Sequence, residues 1–369
     1  MKHEPVMYND AVGHAPPLRE LQLAAGAVFA APCGREFPVS YGDPRAEHRA
    51  VRAAVGVVDR SRWGVLELTG ADRVSFLNGM LSNDVKRLAP GQGAAAAFLD
   101  ARGRIQALLT VLAQADRHLV LLPGGTATKT HDALEGFHFA ERVEIRDASE
   151  EHATFLLAGP ATATLVERLA ARALPELPWE HAEVTVAGRP ARLVRGGGET
   201  GEAEAWLLAG REDGAALWQA IVAADARPVG LTALDVLRVE AGTPWFGHDA
   251  DDSTLLPEIP CESLVSPTKG CYIGQEVVVR IRDRGHVNRR LTGLTLDGTT
   301  VPPPGATVGA DGRDVGQVTS AVRSYALERP IALAFVRREH ATPGTAVAVT
   351  VDGAALTARV TALPFVTRP

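Results

Sequence analysis

Apolar and polar positions alternate in short bursts along most of the chain and take helical spacing in a few places. In "GVLELTG" (64–70), Leu66 and Leu68 share one face and Val65 and Glu67 the other, which predicts a strand ending at Gly70. "ADRVSFLNGMLSNDVKRL" (71–88) spaces Val74, Leu77 and Leu81 three and four apart, one face of a helix. "AAAAFLDARGRIQALLTVLAQADRHLVLLP" (94–123) predicts a meander of strands with turns at "DARGR" and "QADRH". Residues 126–230 predict a separate mixed unit, with helices in "TATKTHDALEGF" and "ATATLVERLAARAL" and a hairpin around Gly188–Arg189. "TALDVLRVEAGTP" (232–244) predicts a helix capped by Thr232, with Asp235 completing a capping box and Gly242 and Pro244 ending it. From about 286 the spacing is that of short Val/Thr/Leu/Ala strands. Asp311–Gly312 and Asp352–Gly353 suit turns that need positive φ, so a small antiparallel barrel or sandwich is expected there. Residues 1–17, polar and Pro-containing, are expected to be loose.

At 369 residues the chain exceeds the ~250–300 at which single cores split, so more than one domain is expected. A net charge of −6 gives no global reason to bind nucleic acid or anionic membrane, so a polyanion site has to be a local patch. No apolar run reaches the ~20 residues of a membrane span. "LQLAAGAVFAAPC" (21–33), preceded by Arg19 and Glu20, reads as a buried strand rather than a secretion signal. The three cysteines, Cys33, Cys261 and Cys271, are odd in number and form no CxxC, which points to a reducing cytoplasm and away from a disulfide scaffold or a zinc site.

Candidate chemistry is concentrated in three places. "GGGETG" (196–201) matches a dinucleotide fingerprint formally, but strand-like "EAEAWLLAG" follows where a helix is required, so it reads as a hairpin loop. "SNDV" (82–85) sets Asn83 and Asp84 just past an apolar helix face, where a carboxyl can take a proton or steady a cation; a solvated helix end is the plain alternative. In "SPTKGCYIGQEVVVRIRDRG" (266–285), Cys271 lies between glycine and tyrosine, two residues after Lys269, whose ammonium could favour the reactive thiolate; a packed thiol is the plain alternative. Cys33 and Cys261 read as structural. Arg280, Arg282 and Arg284 alternate as on one strand face, either a solvated edge or a cradle for carboxylates or phosphates.

"KGCYIGQE" (269–276) resembles the signature of the YgfZ-type folate-binding proteins, relatives of the aminomethyltransferase (T-protein) of the glycine cleavage system. "GVVDRS", "FLNGMLSNDVKRLAPGQGAAAAFLDARGRI", "RVEAGTPWFGHDADDSTLLPE" and "RGHVNRRLTGL" stand in the family's order, from about residue 18 to the end. The resemblance implies an α+β fold: a composite folate-binding region over 18–284, with a ferredoxin-like insertion at about 126–230, and a C-terminal antiparallel β-barrel over 285–369. Tetrahydrofolate, or a one-carbon-substituted folate, is the implied cofactor, in a central channel. Asn83, Asp84, Trp206, Tyr272, Gln275, Glu276 and Arg280 are the implied binding set, with Cys271, Asp84 and Lys269 as the reactive groups. Two positions depart from the aminomethyltransferase pattern: Trp206 stands where the family carries a pterin-pairing Glu, and Leu234 stands where it carries Arg before Asp235.

The expected function is therefore a cytoplasmic, tetrahydrofolate-binding accessory protein of iron–sulfur cluster assembly or repair. Its partners would be folate and iron–sulfur client or assembly proteins, with Lys269 lowering the pKa of Cys271 and with Gln275 and Glu276 orienting the loop. The alternatives are a folate-dependent aminomethyltransferase or demethylase using Asp84, and a tRNA-modification factor acting through the arginines. Overall acidity and the lack of interleaved aromatics disfavour the last. No membrane partner is expected.

Overall fold

The computed structural model describes residues 18–31 and 36–367, so the segment 1–17 and Cys33 lie outside the described residues. The chain opens with α1 (Arg19–Ala24) and a small hairpin of β1 (Val28–Ala30) and β2 (Phe37–Ser40). The strand expected across 21–33 is thus a helical turn followed by three extended residues, and Val28 is exposed rather than buried. Helix α2 (Pro44–Ala53) starts with Asp43, whose carboxyl accepts from the Arg45 amide, and with proline at its first position, where a missing N–H costs nothing.

The next strands are β3 (Gly56–Asp59) and β4 (Gly64–Thr69), followed by α3 (Arg73–Met80) and the meander β5 (Gly93–Leu99), β6 (Ile105–Ala113) and β7 (His118–Leu122). Helix α4 (Ala127–Glu135) and β8 (Glu144–Asp147) complete a five-stranded antiparallel sheet of order β5-β6-β7-β4-β8. Its even-handed alternation sends Leu66, Leu68, Ala96, Phe98, Leu109 and Val111 to one face, where Phe76 and Leu77 of α3 and Leu134 of α4 cover them. Val74, expected on the buried face of α3, is half-exposed, and Leu81 packs just beyond the helix end.

A second sheet follows from β9 (His152–Ala158), α5 (Thr162–Ala170), β10 (His181–Val186), β11 (Arg189–Arg195), β12 (Glu204–Gly210), α6 (Gly214–Ala223) and β13 (Arg227–Pro228). Its order is β10-β11-β12-β9-β3-β13, antiparallel except for the β3–β13 pair. The β10–β11 turn falls at Ala187 and Gly188, both with positive φ, one residue before the expected position. The stretch 126–230 is interleaved rather than set apart, because α4 and β8 belong to the first sheet and β9 pairs with β3. One face of the second sheet lies under α5 and α6, with Phe155, Leu157, Leu193 and Leu207 against Leu165, Leu217 and Trp218. The other meets the first sheet, where Leu156, Val194, Trp206 and Leu208 pack with Leu112, Leu119 and Leu121.

Helix α7 (Leu231–Glu240) is a wall shared by two cores: Leu234 and Leu237 enter the inter-sheet layer, while Val236 and Val239 face the barrel. It begins two residues earlier than a Thr232 cap would place it, with Gly230 at the cap position. Thr232 makes no cap; the Glu47 carboxyl accepts from the Gly230 amide instead, and Asp235 pairs with Arg238. After a long irregular stretch come α8 (Gln275–Arg284) and the barrel strands β14 (Arg289–Leu296), β15 (Thr307–Ala310), β16 (Arg313–Arg323), β17 (Pro330–Arg337), β18 (Ala346–Val351) and β19 (Ala354–Thr361). These close as β14-β17-β16-β15-β18-β19, all antiparallel. The Asp311–Gly312 and Asp352–Gly353 turns have positive φ at both residues, as expected. In β17, Ala332, Ala334 and Val336 fill the barrel while Ile331, Leu333 and Phe335 pack outward against α7 and α8, which is why "PIALAFV" is continuously apolar. The expected α+β class with a C-terminal antiparallel barrel therefore holds.

Candidate functional site

The site is best built from the C-terminal end of α3. A helix end leaves its last carbonyls without intrahelical partners. Here the Lys269 ammonium takes up three carbonyls: Asn78 at 2.7 Å, Asn83 at 2.9 Å and Leu81. The Ser266 amide donates to the Ser82 carbonyl and the Ile273 amide to that of Gly79, each at 3.2 Å. Ser82 Oγ donates back to the Leu264 carbonyl at 2.6 Å, and Asn83 Nδ2 reaches the Ser263 and Ala95 carbonyls. The outcome is a turn in which Asn83 Oδ1 accepts from the Asp84 amide and the Asp84 carboxyl is left largely buried, with Arg87 at 3.2 Å as its ion-pair partner. Burial presses the Lys269 pKa down to about 8, and Asp84 opposes that shift.

The same segment carries the cysteine motif. Cys271 is exposed, and no hydrogen bond joins it to Lys269 among the described residues, because the ammonium is turned toward α3. The expected pairing of Lys269 with the thiol is thus replaced by one with the Asp84 turn. Tyr272 is buried, with its ring 5.1 Å from Lys269 Nζ and its hydroxyl without a partner among the described residues; burial raises its pKa. Cys261 is half-buried against the core beside α8, and burial pushes its thiol up to about 11, which keeps it an inert thiol. Gln275 opens α8 and Glu276 is exposed in its first turn. Arg280, Arg282 and Arg284 are on this helix, not on a strand, so they do not share a face: Arg280 and Arg284 lie one turn apart, and Arg282 pairs with Asp283.

A second cluster was not expected from the sequence. Four of the five tryptophans gather with Arg60 and the loop between β11 and β12. Arg60 stacks 4.2 Å from the Trp63 ring centroid and donates to Glu199 Oε2 at 2.7 Å; Trp245 Nε1 donates to Glu199 Oε1 at 2.6 Å. Trp206 meets Trp63 and Trp179 edge-on. Trp63, Trp179 and Trp245 are half-exposed, whereas Trp206 and Arg60 are buried, and among the described residues Trp206 Nε1 and Arg60 Nε have no acceptor. Glu204 orders the loop: fully buried, it accepts from the Gly198 and Thr200 amides and the Thr200 hydroxyl, and burial raises its pKa. "GGGETG" is the hairpin loop expected, but its Glu199 is a potential ligand group that the turn-like pattern concealed. Elsewhere, an open groove between the sheets is lined by Glu67, Arg117, Glu183 and Arg192, whose charges already pair with one another.

The arrangement offers a held carboxyl at one place and, at another, a tryptophan cluster around one carboxylate, with two buried donors that have no acceptor among the described residues. Among the described residues no helix is long and apolar enough to cross a membrane, and no cluster of three or more His, Cys, Asp or Glu side chains is arranged to hold a metal.

Residues 18–269 match the GCVT N-terminal domain, and residues 289–367 match the glycine cleavage T-protein C-terminal barrel domain. An aminomethyltransferase of Geobacillus kaustophilus is 35% identical over 95% of this chain and 98% of its own, and one of Thermus thermophilus is likewise 35% identical over 95% and 98%. The crystal structure of the glycine cleavage system aminomethyltransferase T from Bartonella henselae superposes with a TM-score of 0.86 at 26% identity, covering 95% of this chain and 97% of that one. These relatives overturn the expected iron–sulfur accessory role and favour the aminomethyltransferase alternative; they lend no support to iron–sulfur client partners or to a tRNA-modification role, because likeness along nearly the whole chain outweighs an eight-residue motif. The chain belongs to the glycine cleavage T-protein family of aminomethyltransferases.

Proposed function

We infer that the protein is a tetrahydrofolate-dependent aminomethyltransferase. The observation that carries this reading is the whole-length likeness to aminomethyltransferases in a chain that also holds the Asp84 carboxyl on a fixed turn. Within the family, the segment 269–276 supports a place beside the YgfZ-type folate-binding branch.

The residues present fit a folate. A pterin carries donors and acceptors on a flat ring. Glu199 offers an acceptor, the unpartnered Arg60 Nε and Trp206 Nε1 offer donors, and the half-exposed rings of Trp63 and Trp245 offer stacking surfaces. Glu199 thereby stands in for the carboxylate that Trp206 replaces. Tetrahydrofolate supplies, when bound, an amine nitrogen that accepts a one-carbon unit. Asp84 is the group suited to hold or take the proton that such an amine releases; its exposure is small and its turn is fixed, so its carboxyl meets an incoming amine without rearranging.

The test is turnover with tetrahydrofolate and a protein-bound aminomethyl donor. Asp84→Asn keeps the fold and lowers kcat by about 10²-fold or more, in the range of lost acid–base catalysis. Absence of turnover in the wild-type protein under folate saturation would sink the reading.

A further inference from the structure

Nearly every carbonyl from residue 78 to 83 is taken up by the segment 263–273. Gly79 and Ser82 carbonyls accept backbone amides of Ile273 and Ser266, and Lys269 serves Asn78, Leu81 and Asn83. A lysine ammonium has three donors, and all three are used here. Two of its acceptors lie before the turn and the third belongs to the residue preceding Asp84. One centre therefore fixes both arms of the turn. The side chain is buried, so its hydrogen bonds do not compete with bulk water.

We propose that Lys269 is a positioning residue for Asp84, its ammonium gathering the carbonyls of residues 78, 81 and 83 so that the carboxyl stands in one place. Its effect on turnover rests on the role inferred for Asp84; its effect on the order of the turn does not. The groups that face the ammonium are Asp84, with Arg87 behind it, and Tyr272, with Arg282 and Cys261 beyond its hydroxyl. Deprotonation removes one donor, so one carbonyl loses its partner. With burial holding the Lys269 pKa down to about 8, the clamp is complete below that pH and loosens above it.

The experiment compares Lys269→Met, which keeps the stem, and Lys269→Arg, which keeps the charge but not three convergent donors, with wild type and Asp84→Asn. Amide hydrogen exchange is followed in the folate-free protein. In Lys269→Met, exchange at residues 79–86 is expected to rise about 10-fold or more while the barrel amides of 331–336 stay protected; Asp84→Asn leaves the turn protected. In turnover, Lys269→Met lowers kcat about 10-fold with KM for folate little changed. Wild-type kcat declines above about pH 8, whereas that decline is absent in Lys269→Arg. Unchanged protection of 79–86 in a folded Lys269→Met protein overturns the proposal, as does an equal loss of protection in turn and barrel. If the wild type shows no turnover while the exchange result holds, the inferred activity fails and the clamp stands.

Discussion

A carboxylate recognises a heterocycle by direction as well as charge, and Glu199 is held in direction by two neighbours. Arg60 and Trp245 each take one of its oxygens, and Thr243 Oγ1 binds its carbonyl. Glu199→Gln keeps the size but turns one acceptor into a donor. Folate affinity is expected to fall about 10-fold or more, the scale of one charge-assisted hydrogen bond, with kcat at saturation little changed; titration of tetrahydrofolate against the variant checks it. At this scale the place of Asn83 and Asp84 just past the end of α3 was legible, because a polar pair directly after an apolar helical stripe marks a helix end. The partners of Lys269 were not legible: proximity in sequence suggests Cys271, whereas a four-carbon stem reaches the orphan carbonyls of a helix 191 residues away in the chain. Glu199 was hidden by its glycine-rich surroundings, which read as a turn and nothing more.

Elements with local signals were readable and those set by tertiary contacts were not. The barrel announced itself through Asp–Gly turns and Val/Thr strands. Helix α8 did not: arginines at every second position between valine and isoleucine give a two-residue period, yet the segment is helical. Gly274 launches it with φ of +80°, and Val278 then enters the core while Val277 packs at Gly103. A Cβ at Gly274 would stand 2.5 Å from the Asp100 carbonyl oxygen, on backbone that side chains rarely adopt. Gly274→Ala is therefore expected to destabilise the protein by about 1–3 kcal/mol and to raise proteolysis within 266–284, combining left-handed strain with a backbone clash. Chemical denaturation with limited digestion tests both. The same override explains α7: Thr232 has a cap residue's chemistry, but Glu47, distant in sequence, reaches the helix start first.

Across the whole molecule, α7 is where the parts meet. Arg238 is buried and bonds Asp249 and, from the barrel, Ser320. Glu240 accepts from His48 and Arg52 of α2 and from Ser324 and the Ala326 amide beyond β16, and its carbonyl holds the Phe365 and Val366 amides. Burial alone would raise the Glu240 pKa; His48, Ser324 and Arg52 overcome it and bring it from 4.5 down to about 2. A carboxyl depressed by folding contributes stability that is complete above about 4.5 and lost as the pH falls through 2. Between about pH 6 and about pH 3 the expected loss is about 2 kcal/mol, out of roughly 3 kcal/mol lost in full below pH 2; it is reduced in Glu240→Gln and is read from urea midpoints at those two pH values. Because one helix closes both the inter-sheet layer and the barrel's outer wall, neither side can exchange that helix alone. A chimaera that grafts a relative's C-terminal domain onto this chain must transplant 231–249 with it, or leave an arginine and a glutamate stranded in a seam built for someone else's side chains.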